Sequence, residues 1–93
     1  MKVDRDKIFK ALGDSTRRLM LDELADRKEQ TLYELTARLI VKHNLAISRQ
    51  AIAKHLAALE EAGLVQSQKE GKYRVIVFHN EPLKHLLEGW IDS

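Results

Sequence analysis

Residues Ile47 to Val65 read ISRQAIAKHLAALEEAGLV, and this stretch decides the fold. Ser48 is placed to cap a helix, its hydroxyl accepting from an otherwise unpaired backbone N–H in the first turn. Gly63 suits the position just past a helix end, where the chain turns left-handed. Between them Ile52, Leu56 and Leu59 fall at i, i+4 and i+7 and form one apolar stripe. The opposite face presents Gln50, Ala53, Lys54, Ala57 and Glu61. Small alanines let such a face approach a groove wall closely while Gln50 and Lys54 reach base edges. Arg49 flanks it in the first turn, where a phosphate would lie. Taken alone, the stretch also fits an ordinary amphipathic surface helix, and its surroundings must separate the two readings.

The chain has 93 residues, which predicts one domain spanning 1–93. A core of that size is modest, so help from a partner subunit is expected. Charged residues make up 32% and aromatic residues 5%, with a formal net charge of +2; a basic footprint must therefore be local. The chain contains no cysteine, which excludes disulfides, thiolate catalysis and cysteine-based zinc or iron–sulfur sites. No apolar run approaches the roughly 20 residues that span a bilayer. The N-terminus lacks the apolar segment of a signal peptide, so a cytoplasmic protein without membrane association is expected. No glycine-rich phosphate loop, nucleophile elbow or Ser/His/Asp arrangement is present, so an enzyme is not expected.

From the N-terminus, Asp4 to Leu12 predicts a short helix with Ile8, Phe9 and Leu12 on its apolar side and Gly13 as its stop. Asp14 caps a second helix running to about Asp26, whose Leu19, Met20, Leu21, Leu24 and Ala25 suit a central position. Arg17 and Arg18 either face DNA or form a solvated edge of it, and the edge is the favoured reading. Lys28, Glu29 and Gln30 read as a polar connection. Thr31 and Glu34 fit a capping box, opening a helix with Leu35, Leu39 and Ile40 that ends near Val41 or Lys42. His43 and Asn44 read as a turn, after which Leu45 and Ile47 return apolar contact ahead of Ser48. This is a helix-turn-helix in outline.

Beyond Gly63 the periodicity becomes alternating. Leu64 to Lys69 and Tyr73 to Phe78 predict two strands joined at Glu70-Gly71-Lys72, with Lys69, Lys72 and Arg74 around the tip. Asn80 caps a final helix, with Glu81 and Pro82 suited to its first turn. Its Leu83, Leu86, Leu87, Trp90 and Ile91 form a broad apolar face. That face either closes its own core or pairs with a second copy; its width favours the copy.

Three segments together resemble the ArsR-type family of winged helix-turn-helix transcriptional regulators: FKALGDSTRRLMLDEL, SRQAIAKHLAALEEAGLV and EGKYRVIVFH. In the first, Leu12, Asp14, Thr16 and Arg17 fit the family's opening. In the second, Ser48, Ile52, His55, Leu56, Leu59, Ala62, Gly63, Leu64 and Val65 fit its recognition segment. In the third, Gly71 and Tyr73 fit its wing. The connection from Ile40 to Ile47 is longer than is usual in the family. The resemblance implies a mainly α fold with a small β-hairpin, in the order α-α-α-α-β-β-α, dimeric through its terminal helices. Ile8, Phe9, Leu83, Leu86, Leu87, Trp90 and Ile91 would meet across the two-fold axis. The implied partners are double-stranded DNA and a second copy of the chain. The implied activity is repression at a palindromic operator.

Residue chemistry assigns roles on the DNA side. Gln50 suits adenine N6 and N7, and Lys54 suits guanine O6 or N7. Arg49 suits phosphate; Lys69, Lys72 and Arg74 suit backbone or minor groove, and Ala53 permits close approach. His55, at the edge of the apolar stripe, is either a half-buried hydrogen-bonding residue or a base reader. Glu60 and Glu61 oppose phosphate, so only the helix's N-terminal half should enter the groove. Some relatives sense metals through cysteine clusters or paired D-x-H and H-x-x-E motifs. Here His85-x-x-Glu88 supplies only the second half, and His43 and His79 read as ordinary loop and strand-end residues. No metal and no cofactor is expected. Two rival readings stand beside this one: a metal- or ligand-responsive repressor, and a winged-helix protein-interaction domain without DNA binding.

Overall fold

The computed structural model of the protein describes residues 4–91. Helix α1 (Arg5–Leu12) is capped by Asp4, whose carboxylate accepts from the Lys7 N–H, and Gly13 ends it by donating to the Lys10 carbonyl at 3.2 Å. Helix α2 (Ser15–Asp26) starts on Asp14, which accepts from the Arg17 N–H at 3.1 Å. That N–H is the main reason the Asp14 carboxyl titrates below the usual carboxylate range.

Strand β1 (Glu29–Thr31) follows, where the sequence predicted only a polar connection. It pairs antiparallel with β3 (Tyr73–Phe78), Gln30 opposite Ile76, so among the described residues the sheet has three strands, in the order β1-β3-β2 with β2 at Val65–Glu70. The element order is therefore α-α-β-α-α-β-β-α, one strand more than the hairpin alone supplies. Three polar residues are too few to show an alternating pattern. Gln30 is nonetheless buried, because its Nε2 donates to the carbonyls of Glu23 and Arg27, each at 2.9 Å.

Thr31 and Glu34 form the reciprocal capping box that opens α3 (Leu32–Val41), with bonds of 3.0 and 3.1 Å. The Thr31 N–H holds the Glu34 carboxyl below its ordinary range. Past the Lys42 cap, Asn44 turns left-handed (φ 52°) and the Leu45 N–H reaches back to the Leu39 carbonyl at 3.2 Å. Leu45 and Ile47 then pack against the core. The long connection is thus fastened down.

Its strongest fastening is electrostatic. Glu23 of α2 is 2% exposed, yet Lys42 Nζ and His43 Nε2 each lie 2.8 Å from its Oε1, and Arg38 Nη1 lies 3.6 Å from Oε2. The Lys42 and His43 hydrogen bonds outweigh burial and hold the Glu23 carboxyl at about 2. His43 is therefore not an ordinary loop residue: it ties the connection to α2.

Helix α4 (Arg49–Glu61) opens on Ser48, whose hydroxyl accepts from the Ala51 N–H at 3.1 Å. It closes with Gly63 at φ 75°, the Gly63 N–H on Glu60 O and the Leu64 N–H on Leu59 O. That pair of bonds is a Schellman motif, and its apolar clasp is Leu59 against Leu64, both fully buried. Strand β2 (Val65–Glu70) pairs with β3, and Glu70 opposite Tyr73 leaves Gly71-Lys72 as a two-residue turn. Gly71, at φ 61°, supplies the conformation such a turn needs. Helix α5 (Glu81–Ile91) begins after Asn80, whose backbone carbonyl accepts from Leu83 and Lys84.

The core lies between the helices and the sheet. Ile8, Met20, Leu24, Leu35, Leu39, Ile52, Leu59, Leu64 and Ile76 are its fully buried side chains. Helix α2 touches α1, α3, α4 and β3, the central position its wide apolar surface demands. Leu19 is half-buried and Ala25 exposed, so that surface is narrower than its composition suggests.

Candidate nucleic-acid interface

The stripe of Ile52, Leu56 and Leu59 is buried and fixes which side of α4 looks outward. On that outward side Gln50, Ala53, Lys54, Ala57 and Glu61 are exposed, and Arg49 is exposed in the first turn. Ser48 holds the N-terminal half in place by its cap, and the Schellman closure fixes the other end.

The wing adds a second group of cations. Lys69 and Arg74 are directly opposed across β2 and β3, and Lys72 sits in the turn; all three are exposed. Pairs along a hairpin alternate between faces, so Lys69–Arg74 shares a face with Ser67–Ile76. Ser67 Oγ donates to Glu60 of α4, so this face of the wing is the one turned to α4. Arg74 Nη2 also lies 3.8 Å from Glu60 Oε1. Glu60 partly offsets the repulsion between two like charges opposed on adjacent strands. It also ties the wing to α4, the helix that carries the exposed Gln50 and Lys54.

His55 is directed elsewhere. Its ring is half-buried with Nδ1 3.2 Å from Arg17 Nη1 and 3.9 Å from Asp14 Oδ1. Arg17 also donates from Nε to the Ala11 carbonyl at 2.8 Å and from Nη2 to the Lys10 carbonyl at 3.0 Å. Arg17 is therefore no solvated edge residue: it joins α1, α2 and α4. Arg18 turns back in the same manner, onto the Leu12 carbonyl. The sequence could not show these ties, because His55 stands 38 residues from Arg17.

The seven residues expected at a dimer contact divide. Ile8 is 0% exposed and Leu86 6%, both within the subunit's own core, and Leu83 is half-buried against it. Apolar spacing along a helix marks a buried face without saying what buries it. Phe9, Leu87, Trp90 and Ile91 stay exposed, Trp90 at 58% and Ile91 at 70%. Phe9 and Trp90 stack with centroids 5.9 Å apart, and the Arg5 guanidinium lies 4.8 Å from the Trp90 ring centroid.

His85 and Glu88 meet at 3.3 Å on the exposed side of α5, and His79 Nε2 meets Gln66 Oε1 at 3.2 Å. Among the described residues no three His, Cys, Asp or Glu side chains are grouped to hold a metal ion. Nor is any described helix long and apolar enough to cross a membrane.

A capped reading helix, a short helix before it and a cationic hairpin bound to its side define a winged helix-turn-helix protein. Comparison with known proteins agrees. Residues 12–68 match the helix-turn-helix domain family. The uncharacterized HTH-type transcriptional regulator YuzN of Bacillus subtilis is 68% identical over 92 residues, covering 99% of this chain and 100% of that one. The arsenic resistance transcriptional regulator ArsR1 of Pseudomonas putida is 33% identical over 86 residues, covering 92% of this chain and 59% of that protein. The structure of an ArsR-like transcriptional regulator from Rhodococcus sp. RHA1 superposes with a TM-score of 0.74 at 38% identity, covering 91% of this chain and 74% of that one.

The chain belongs to the ArsR family of helix-turn-helix transcriptional regulators. It is a DNA-binding transcription regulator, in a family of regulators and not of enzymes.

Proposed function

We propose that this protein is a repressor that binds a palindromic operator in the cytoplasm as a homodimer, its residues 1–93 acting as one domain. The single observation that carries the reading is the Glu60 junction. It ties the wing to α4, which supports setting the exposed face of that helix and the exposed cations of the wing against one duplex. A duplex lying across that surface meets Gln50 and Lys54 in its major groove and Lys69, Lys72 and Arg74 on its backbone or minor groove. Arg49 meets phosphate, and Ala53 lets the helix approach. The exposed Phe9, Leu87, Trp90 and Ile91 supply a self-complementary contact for a second copy. Two reading helices related by a two-fold axis would then enter successive major grooves about 34 Å apart. Occupying a promoter in this way excludes other proteins from it.

Selection of bound duplexes from a random pool tests the reading directly. A two-fold symmetric sequence with half-sites one helical turn apart is expected. An asymmetric or unselective result removes the dimeric operator. A salt titration tests the charge. Affinity should fall linearly in log salt, at about 0.9 per phosphate neutralised. A response without slope would return the domain to protein interaction.

A further inference from the structure

We propose that Arg17 is a positioning residue that carries the geometry of the paired subunits into the recognition helix, acting through His55. The inference rests on the dimeric reading above and goes beyond it by naming the part that couples pairing to reading. Arg17 stands where three elements meet. Its Nε and Nη2 hold the Ala11 and Lys10 carbonyls, both in the last turn of α1. Both lie among the last carbonyls of the helix; that of Lys10 also accepts from the Gly13 N–H, and a guanidinium is well suited to such helix-end carbonyls. Its Nη1 reaches His55 Nδ1 on α4. A guanidinium has donors only, so in this contact His55 Nδ1 is the acceptor. Asp14 fixes the start of α2 by accepting from the backbone N–H of the same Arg17.

The two ends of this link lie beside the two surfaces. On α1, Phe9 immediately precedes Lys10 and stacks on Trp90 of the face left open to a second copy. On α4, Lys54 immediately precedes His55 and lies on the reading face. Apolar packing of Ile52, Leu56 and Leu59 keeps α4 on the core, but such packing is non-directional. The Arg17–His55 bond adds a directional contact between α4 and the helix next to the pairing face. Two half-sites are bound together only when both reading helices stand at the right separation and angle, and the second contact is lost when geometry forbids it. Removing the link should therefore penalise the paired site and spare the single one.

The test uses wild type, Arg17→Lys, His55→Ala and the double variant, each checked for fold by circular dichroism and for pairing by sedimentation. Three duplexes are compared: the selected full site, one half-site, and the full site with two base pairs inserted at its centre. The insertion rotates one half by about 70°. Wild type should discriminate strongly against the insertion. Arg17→Lys keeps the charge but cannot make all three bonds; it should lose about tenfold on the full site, the size of coupling usual between contacting residues. It should change less than about twofold on the half-site and discriminate less against the insertion. His55→Ala should weaken that discrimination similarly, and the double variant no further. The inference fails if Arg17→Lys loses both sites equally, if it keeps the wild-type discrimination, or if the double variant shows the sum of the single effects. It also fails if His55→Ala, folded and paired, discriminates like wild type, which decides the matter should the Arg17 variant not fold. A wild-type protein indifferent to the insertion overturns the dimeric operator itself, a distinct result from any of these.

Discussion

The outward side of α4 with the wing, and the outward side of α1 with α5, are both open to solvent, but by opposite chemistry. The first exposes Gln50, Lys54, Lys69, Lys72 and Arg74 around small alanines. The second exposes Phe9, Leu87, Trp90 and Ile91. Charge on a short-range scaffold suits a polyanion that must be entered and left, with affinity tuned by salt. Exposed aromatic and aliphatic carbon suits a partner that stays. The contrast teaches that exposure alone says little about a face; the chemistry left uncovered does. Each face also carries contacts of its own, Glu60 with Ser67 and Arg74 on one side and the Phe9–Trp90 stack on the other.

The largest effects should come from Trp90 on the apolar face and from Glu23 in the interior. Trp90→Ala removes the stacked ring and the surface for Arg5, and at the centre of an apolar contact a tryptophan commonly contributes about 2–4 kcal/mol. Sedimentation equilibrium should show the pair shifted to single subunits, with half-site affinity little changed; an unchanged pair would return Trp90 to the subunit's own packing. Glu23→Gln probes the fastening of the connection that leads from α3 into α4. The folded carboxyl sits at about 2 against an ordinary 4.5, which corresponds to roughly 3 kcal/mol. Because the folded value is the lower one, that stabilisation is fully present above about pH 4.5 and disappears as pH falls toward 2. Denaturant unfolding between pH 7 and pH 2.5 should show the variant weaker at neutral pH and nearly level with wild type at the acid end. Parallel curves would remove the carboxylate from the account.

Smaller effects should separate base reading from backbone contact. Lys54→Ala should weaken the selected site by about 1–3 kcal/mol and relax preference at one base pair, read from competition among single-base variants of the duplex. Lys72→Ala should weaken all sequences alike and lower the salt slope by about 0.9. If the two variants behave identically, the division between the helix and the wing is wrong.

Most of the fold was legible because its helices carry local punctuation. Asp4, Asp14, Thr31, Ser48, Gly13 and Gly63 each act within a few residues of their own position, and each sits at the boundary its side chain or backbone suits. What escaped notice depends on distance along the chain. Strand β1 exists only because β3 lies beside it, more than forty residues later. Glu23 reads as one more acidic residue on a helix until His43, 20 residues on, comes to meet it. The contact of Arg17 with His55 likewise joins residues 38 apart. At the interface, exposed positions on α4 and the wing followed from periodicity, whereas Ile8 and Leu86 did not separate from Phe9 and Trp90. A helical period reports that a side is apolar; only the third dimension says who covers it.

The wing's turn carries a consequence for chemical synthesis. A side-chain carbon added at Gly71 would meet no atom within 4 Å, so the position is constrained by backbone handedness and not by crowding. A mirror-image alanine at 71 would adopt that handedness naturally, while its ordinary enantiomer would strain the bend. The D-residue would also narrow the choices open to the unfolded chain, worth about 0.4–1 kcal/mol. A protein assembled with that one inverted centre should therefore present a stiffer tip to the duplex with every natural contact preserved.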